Sequence, residues 1–487
     1  MGKIFIIGSG FSSLSAACYL AKDGNDVTIF EKNPTVGGRA RQLKKNGFTF
    51  DIGPTWYWMP DVFERFFADF GKKPSDYYSL HKLTPAYRVY FGHRSFINIA
   101  DNLPEIVTTF ETIEKGSGEK LEKFMAAAKS NYDIAIKDLV YRPGVSALEL
   151  ITWETAKKLG QFFGNVSSDV RKLFKDQRLV QILEFPVLFL GAKPSATPSF
   201  YNFMNHADFG LGTWHPEGGM YSVVKAMENL ATELGVSIRT NSNIDKILVQ
   251  SGHAKGLIVN QQKLYADVIL SGADYHHTET LLDQNYRMYS ERYWEKKTFA
   301  PSALLFFVGF DRRIQDVEHH TLFFDSDFDE HAKAIYDEPK WPENPLFYAS
   351  FPSITDKSCA PEGMEAGTFL IPLAPGVEDT PELRNRYFEK IVGRLESLTG
   401  QTLKNNITFS ESFCVNDFVS AYNSYKGNAY GLANTLLQTA FLRPKIKSKK
   451  VKGLYFTGQL TVPGPGVPPA LISGKLAAAL IDKYESS

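Results

Sequence analysis

Two glycines, a carboxylate and an arginine near the amino terminus have the types and spacing to hold a phosphate-rich dinucleotide. The turn Gly8-Ser9-Gly10-Phe11-Ser12-Ser13 follows a short apolar strand, Lys3 to Ile7, and leads into an alanine- and leucine-rich helix. Gly8 permits a tight turn and Gly10 lets the backbone approach a pyrophosphate. Amides at the start of the helix, about Ser12 and Ser13, face the phosphate charge. A second strand, Asp26 to Phe30, ends on Glu31, 21 residues after Gly10, with Lys32 behind it. A carboxylate at that distance accepts from the hydroxyls of an adenosine ribose. The third glycine of the usual pattern is here Ser13, small enough for close helix packing but off the strict nicotinamide signature.

The residues just beyond the carboxylate favour a flavin over a nicotinamide. Gly37-Gly38-Arg39 and Gly53-Pro54-Thr55 lie in that stretch, downstream of Glu31. Paired glycines let the chain pass hard against a bulky group, and Arg39 offers charge-assisted bonds to phosphate or to a flavin ring's polar edge. A third piece lies at the carboxyl terminus, where a buried-type strand, Leu454 to Phe456, leads to Gly458 and then to Pro463-Gly464-Pro465-Gly466-Val467-Pro468-Pro469. Proline in a first helical turn makes Pro468 and Pro469 the expected start of an apolar helix, whose positive end would face the flavin's pyrimidine edge. Together these residues imply FAD, bound by Gly8, Gly10, Ser12, Ser13, Glu31, Lys32, Gly38, Arg39, Gly53, Pro54, Thr55, Gly458, Gly466, Val467 and Pro468.

For motifs at the two ends to share one cofactor, the intervening chain must be inserted into a Rossmann-like nucleotide-binding domain. The expected class is therefore α/β, a two-dinucleotide-binding flavoprotein type with an interleaved α+β substrate domain. Residues 1–100, 215–287 and 446–487 are expected to form the first domain, and 101–214 and 288–445 the second. Asp101 to Lys175 has helical spacing, whereas Ala303 to Phe310 and Thr368 to Leu373 read as strands. Gly218-Gly219 opens a helix that returns the chain to the first domain, and Val268 to Ala273 reads as a further strand of its sheet. Between them, a backbone segment from Asn243 through Ile244 to Ile247 is expected at the adenine edge.

At 487 residues the chain exceeds what one core serves. Lysine plus arginine and aspartate plus glutamate each number 54, so charge argues for no nucleic-acid partner. Cys18, Cys359 and Cys414 are far apart and odd in number, as expected for a reducing, cytoplasmic setting without a disulfide or zinc framework. The apolar start reads as the first strand of the sheet, interrupted by Gly8 and Gly10, and not as a signal peptide. No stretch reaches the roughly 18 apolar residues of a membrane span. Leu179 to Ala192 comes nearest and, broken by Gln181, Glu184 and Pro186, is expected to dip into one leaflet. Aromatic content is 14%, which fits either a long apolar channel or an ordinary aromatic core.

The Gly8 turn, Gly37-Gly38-Arg39, Phe50-Asp51-Ile52-Gly53-Pro54, His215-Pro216-Glu217-Gly218-Gly219 and Pro463 to Pro468 resemble motifs of the bacterial-type phytoene desaturase family of carotenoid desaturases. The resemblance covers the chain nearly end to end, and Gly53 to Pro60 is most similar to members from marine flavobacteria. It implies an FAD enzyme at a membrane lipid surface that introduces double bonds into a carotenoid, with a quinone or dioxygen as electron acceptor. Within the family, a phytoene-type substrate and 3,4-desaturation of a 1-hydroxylated or monocyclic carotenoid both stay open. Val462 and Pro469 depart from the residues common in the family, a histidine and a small residue.

Such a reaction removes a hydride and a proton from adjacent carbons, and a polyene-stabilised cation is acidic enough to need no strong base. Candidates for a proton acceptor are His206, Asp208 and Glu217, although residues of these types near loops are more often caps or surface groups. His276-His277 and His319-His320 lack spaced carboxylate partners, so no metal is expected. A flavin amine oxidase would use similar motifs with an aromatic cage and a lysine near the flavin. A non-catalytic flavin-binding lipid escort would keep the fold alone.

Overall fold

In the computed structural model, which describes residues 2–146, 149, 153 and 158–485, the two ends of the chain meet in one parallel sheet. Its strands are ordered Leu454–Phe456, Val268–Ser271, Lys3–Ile7, Asp26–Phe30 and Ser237–Arg239. All neighbours are parallel. These strands are short apolar runs because helices cover the sheet: Phe11–Lys22 packs beside Met220–Glu233 and Val467–Glu485. The strand order reverses beside Lys3–Ile7, and a ligand crevice belongs at the carboxyl ends of the strands there.

Ser13, the departure from the third glycine, has a local answer. A Cβ at position 272 would collide with the Ser13 hydroxyl, and position 272 is Gly272. The space given up at one position of the turn is recovered on the neighbouring strand.

A second, seven-stranded sheet is ordered Ile407–Phe413, Ser302–Phe310, Glu365–Leu373, Phe347–Ser350, His320–Phe323, Tyr87–Gly92 and Ser95–Ile99. Tyr87–Gly92 and Ser95–Ile99, which the sequence places in the nucleotide-binding segment 1–100, are the last two strands of this second sheet, Ser95–Ile99 at its edge. Nothing in their alternation says which sheet they join. On one face, Leu304, Phe306, Phe323, Phe369 and Ile371 pack with Tyr387, Ile391 and Leu395 of the helix Pro381–Thr399. On the other face, register aligns Leu305, Leu370, Tyr348 and Leu322 in one row across four strands. That row lines a cavity.

Helices Leu103–Ile113, Ser117–Lys137, Val166–Leu173 and Gln177–Glu184 close the opposite side. The run Leu179 to Ala192, expected to dip into a leaflet, is interior. Leu179, Val180, Ile182, Leu183 and Val187 are fully buried, while Leu188 and Phe189 turn toward the cavity. Its polar interruptions explain the difference. Glu184 is buried against the Arg171 guanidinium and the Ser167 hydroxyl, so the segment is anchored inward. Among the described residues, no helix is long and apolar enough to cross a membrane.

Candidate active site

One cavity of about 800 Å³ runs from the glycine turn at the crevice to the surface near Gly144 and Leu437. Every cofactor residue expected from the sequence lines it except Ser13, which is packed against Gly272. The motifs reach it by touching one another. A Cβ at Gly38 would stand 3.1 Å from the Gly10 Cα, and one at Gly53 would overlap the Arg39 carbonyl oxygen. Backbone contact at these points needs glycine.

The residues present fit a dinucleotide. A Cβ built at Gly10 meets no protein atom within 4 Å, so the space before the helix start is open to a pyrophosphate. Glu31 is buried at the strand end: one oxygen accepts from the Ser9 amide (3.0 Å) and hydroxyl (2.7 Å), the other from the Asn33 amide (2.9 Å) and side chain (2.8 Å). Four donors fix the orientation of the carboxylate at the position expected for the ribose. Ser242, Asn243 and Ile244 stand beside it, where the adenine edge is expected.

Arg39 is partly buried and faces the cavity. One terminal nitrogen reaches Ser424 Oγ (3.2 Å) and the Asn428 carbonyl (3.4 Å), and the guanidinium lies 5.4 Å from the Tyr422 ring centre. Its Nε has no partner. Burial lowers its affinity for a proton while Asp274 partly offsets this. An orphaned buried donor on a desolvated cation calls for an acceptor-rich group in the cavity, as a flavin's polar edge would be. The helix Val467–Glu485 opens into the same space, with Gly466, Val467 and Pro468 at its mouth.

Asp51 of the second motif does different work. Its two oxygens accept from the amides of Met220 (2.7 Å) and Tyr221 (3.1 Å), capping the helix Met220–Glu233, whose own cap residue is Gly219. Burial pushes this carboxyl up to about 6 against those two bonds. The pairing of the Asp51 and Gly218-Gly219 motifs is thus a helix start that fixes the loop carrying Gly53, Pro54 and Thr55.

None of the three candidate proton acceptors lines the cavity. Glu217 is on the outer surface, near His81. The half-buried His206 ring lies over Gly210 and 5.2 Å from the Tyr132 ring, and burial lowers its affinity for a proton. Asp208 is buried and accepts from the Tyr87 hydroxyl at 2.7 Å, leaving its other oxygen without a partner. Burial pushes it up to about 8 from an ordinary 3.8. The placement of His206 and Asp208 comes from a single π-helical turn, His206–Gly210, that directs these two side chains into helix packing.

Asp208 carries a prediction about stability. Folding favours its protonated form, so its contribution is complete below about pH 4 and is lost as pH rises through about 8. Asp208→Asn keeps an acceptor for Tyr87 and removes that loss. The variant is expected to gain on the order of a few kcal/mol over the parent between pH 6 and pH 9, at about 1.4 kcal/mol per pH unit. Parallel melting-temperature profiles for the two proteins would contradict this.

Several residues that matter here carry no motif. The Arg443 guanidinium is buried and donates to the carbonyls of Leu432, Gln438, Gln459 and Thr461 and to Asn434 Oδ1. It ties the cavity's 432–443 wall to the loop after Leu454–Phe456. Burial lowers it to about 10. An isolated arginine in an irregular segment gives a sequence reader no signal. Tyr348, in the middle of the apolar row, is equally silent, being one more aromatic in a strand.

The parallel sheet, the glycine turn and the cavity together define a dinucleotide-binding flavoprotein. Residues 11–482 match the model of the flavin containing amine oxidoreductase family, and the chain belongs to that family, with FAD as its cofactor. Its close relatives narrow the placement to the carotenoid desaturases. The chain is 42% identical to a carotenoid 3,4-desaturase of Haloarcula japonica, over 98% of each chain. It is 32% identical to a zeta-carotene-forming phytoene desaturase of Myxococcus xanthus, over 97% of this chain and 92% of the relative. An oxidoreductase structure from Methanosarcina mazei shares the fold, with a TM-score of 0.62 at 18% identity, covering 97% of this chain and 99% of the other.

Proposed function

We propose that the protein is an FAD-dependent carotenoid desaturase, forming carbon–carbon double bonds in a long polyene with the 3,4 bond as its target. The observation that carries this reading is a continuous cavity that joins the dinucleotide end at Gly10 and Arg39 to an apolar wall of Leu305, Leu322, Leu370, Leu188 and Phe189. The 42% identity to a carotenoid 3,4-desaturase supports the choice of bond. FAD, when bound, supplies the acceptor for two electrons and one hydrogen from the polyene.

The chain's own residues do the rest. Gly8, Gly10, Ser12, Glu31, Lys32 and Ile244 hold the adenosine and pyrophosphate half. Gly38, Arg39, Gly53, Pro54, Thr55, Gly458, Gly466, Val467 and Pro468 surround the ring half. The apolar row orients a substrate that has no polar handle, through burial worth roughly 25 cal/mol per Å² of surface removed from water. We assign residues 2–79, 217–287 and 446–485 to the cofactor unit, and the seven-stranded sheet and the helices facing it to the substrate unit.

An amine oxidase would place a lysine near the flavin ring. The cavity's lysine among the described residues, Lys32, is instead anchored beside Glu31, donating to the Ser420 carbonyl (2.8 Å) and Asn423 Oδ1 (3.0 Å). An apolar substrate reaches the cavity from a lipid surface. Leu437, 75% exposed, lines the opening, and Phe163, 77% exposed, adjoins the lining residue Phe162. Both are assigned to that contact, which makes the protein a peripheral membrane enzyme. The double variant Phe163→Asp, Leu437→Asp is expected to lower liposome flotation severalfold while leaving flavin content intact. Equal flotation of variant and parent would remove this face from the account.

The reading is tested by adding flavin-loaded protein to liposomes carrying phytoene, lycopene, gamma-carotene or a 1-hydroxylated carotenoid, and following absorption. A red-shifted band with at least one of them is expected. No shift with any, at full flavin loading, is the outcome expected of a lipid escort. Anaerobic turnover with and without added quinone separates a quinone acceptor from dioxygen.

A further inference from the structure

The apolar row has one polar member, and it is wired to a buried base. Tyr348 lines the cavity, and its hydroxyl lies 2.8 Å from Thr55 Oγ1 and 2.7 Å from His320 Nδ1. Sheet register makes this contact: His320 pairs with Ser350, so Tyr348 is its diagonal neighbour on the same face. Thr55 lies two residues beyond Gly53, which packs on the Arg39 carbonyl, so the chain of hydroxyls begins at the flavin side of the cavity. The His320 ring is fully buried and stacked at 4.0 Å on Trp56, and its Nε2 has no partner. Stacking accounts for the ring's position but not for an orphaned buried nitrogen on an imidazole joined through a phenol to an apolar tunnel.

We propose that Tyr348, backed by His320, is the catalytic group that takes up the proton released from the polyene. The proposal rests on the desaturase reading above. Once the polyene has given up two electrons and one hydrogen to the oxidised cofactor, positive charge spreads along its conjugated chain. The C–H bond on the adjacent carbon then breaks, and its electron pair becomes the new π bond. The proton bonds to Tyr348 Oη while the phenol's own proton passes to His320 Nδ1, leaving a neutral product and an imidazolium.

Other acid–base groups on the cavity wall are engaged: Asp274 accepts from the amides of His277 and Tyr425 (3.3 Å each), His277 Nε2 lies 3.0 Å from Asn423 Nδ2, and Glu149 accepts from the amides of Gly144, Val145 and Ser146. His331 accepts from the Leu346 amide at Nδ1 (3.0 Å) and is 2.9 Å from the Pro372 carbonyl at Nε2, so both nitrogens are occupied. Glu31 is at the adenosine end with four donors, and Arg39 is a cation. Tyr430 also lines the cavity, but among the described residues no hydrogen bond joins it to a histidine or carboxylate.

Behind His320 stand His319, with ring centres 4.6 Å apart, and then His215, 4.5 Å from His319 and with Nε2 at 3.2 Å from Asp356. Burial would raise Asp356, but bonds from His215, Ser358 and the Gly218 amide outweigh it and hold the carboxyl well below its usual range. That anion lies on the side where the imidazolium forms, and these groups act as positioning residues. Burial, with a smaller contribution from His215, keeps His320 itself neutral at rest, and its Nδ1 faces the Tyr348 hydroxyl.

The test uses flavin-loaded protein and a liposomal carotenoid that the parent converts. Tyr348→Phe is expected to lower kcat about a hundredfold, the range of a positioned general base, with KM within about threefold and flavin content unchanged. His320→Asn is expected to match it. In nitrogen-15 histidine NMR of the resting holoenzyme, His320 Nδ1 is expected to be an unprotonated acceptor, and its signal to move in Tyr348→Phe. A kcat within about threefold of the parent in Tyr348→Phe overturns the relay. So does a protonated Nδ1 at rest, which also decides the matter if the variants lose their flavin. A parent that converts no carotenoid overturns the desaturase reading and the relay together, whereas a working parent with an unaffected Tyr348→Phe overturns the relay alone.

Discussion

Gly10→Val is expected to give a folded protein that purifies without flavin. Position 10 caps the helix Phe11–Lys22 with φ −70° and ψ 173°, an extended conformation that valine adopts readily. A Cβ there meets nothing within 4 Å, so the substitution creates no clash inside the protein. The isopropyl group instead fills the space in front of the helix's first amides, where a pyrophosphate must approach to within hydrogen-bond distance. Loss of flavin should therefore be complete, while the melting temperature matches that of the parent stripped of flavin. Comparison with the stripped parent matters because bound cofactor itself raises stability by mass action. A yellow Gly10→Val protein would mean that the dinucleotide lies elsewhere.

Leu188→Asp is expected to abolish turnover, by more than about a hundredfold, with flavin content and liposome flotation unchanged. Leu188 and Phe189 face the cavity, and the residues around them are interior. A carboxylate among apolar walls either stays hydrated, narrowing the path, or gives up its charge. Either way it repels a hydrocarbon, at a cost of several kcal/mol for an unpaired polar group. Had this segment dipped into a leaflet, flotation would fall and the chemistry would survive in detergent. Reduced flotation with normal turnover in detergent would restore that arrangement.

The contrast at Leu179 to Ala192 shows where sequence reading stops. Hydrophobicity was legible there, but its direction was not, because the partner that turns the segment inward, Arg171 with Glu184, is a tertiary contact. The glycine-lined end of the cavity was legible because each residue answers a local demand: the Gly8 turn, the close approach at Gly38, the carboxylate at Glu31. All of these lie within a few residues of a strand end. The strands Tyr87–Gly92 and Ser95–Ile99 were visible as chain but not as members of the second sheet, since the pairing that joins them to it is with residues more than 200 positions away. The same limit hid Tyr348. Its hydrogen bonds come from register with His320 and from Thr55, neither of which leaves a mark in its own neighbourhood. Proximity to a turn suggested His206, Asp208 and Glu217, and the fold directs those side chains to packing or solvent.

The central claim is that a polyene in the apolar arm of the cavity gives up its electrons to the flavin at the other end. It is tested most directly by anaerobic single turnover of the flavin-loaded protein with a liposomal carotenoid saturated at its 3,4 bond. The account predicts that the visible flavin band bleaches in step with the red shift of the polyene, one flavin for each double bond formed. A flavin that stays oxidised in the presence of bound carotenoid, yet bleaches with a simple alkylamine, would contradict it.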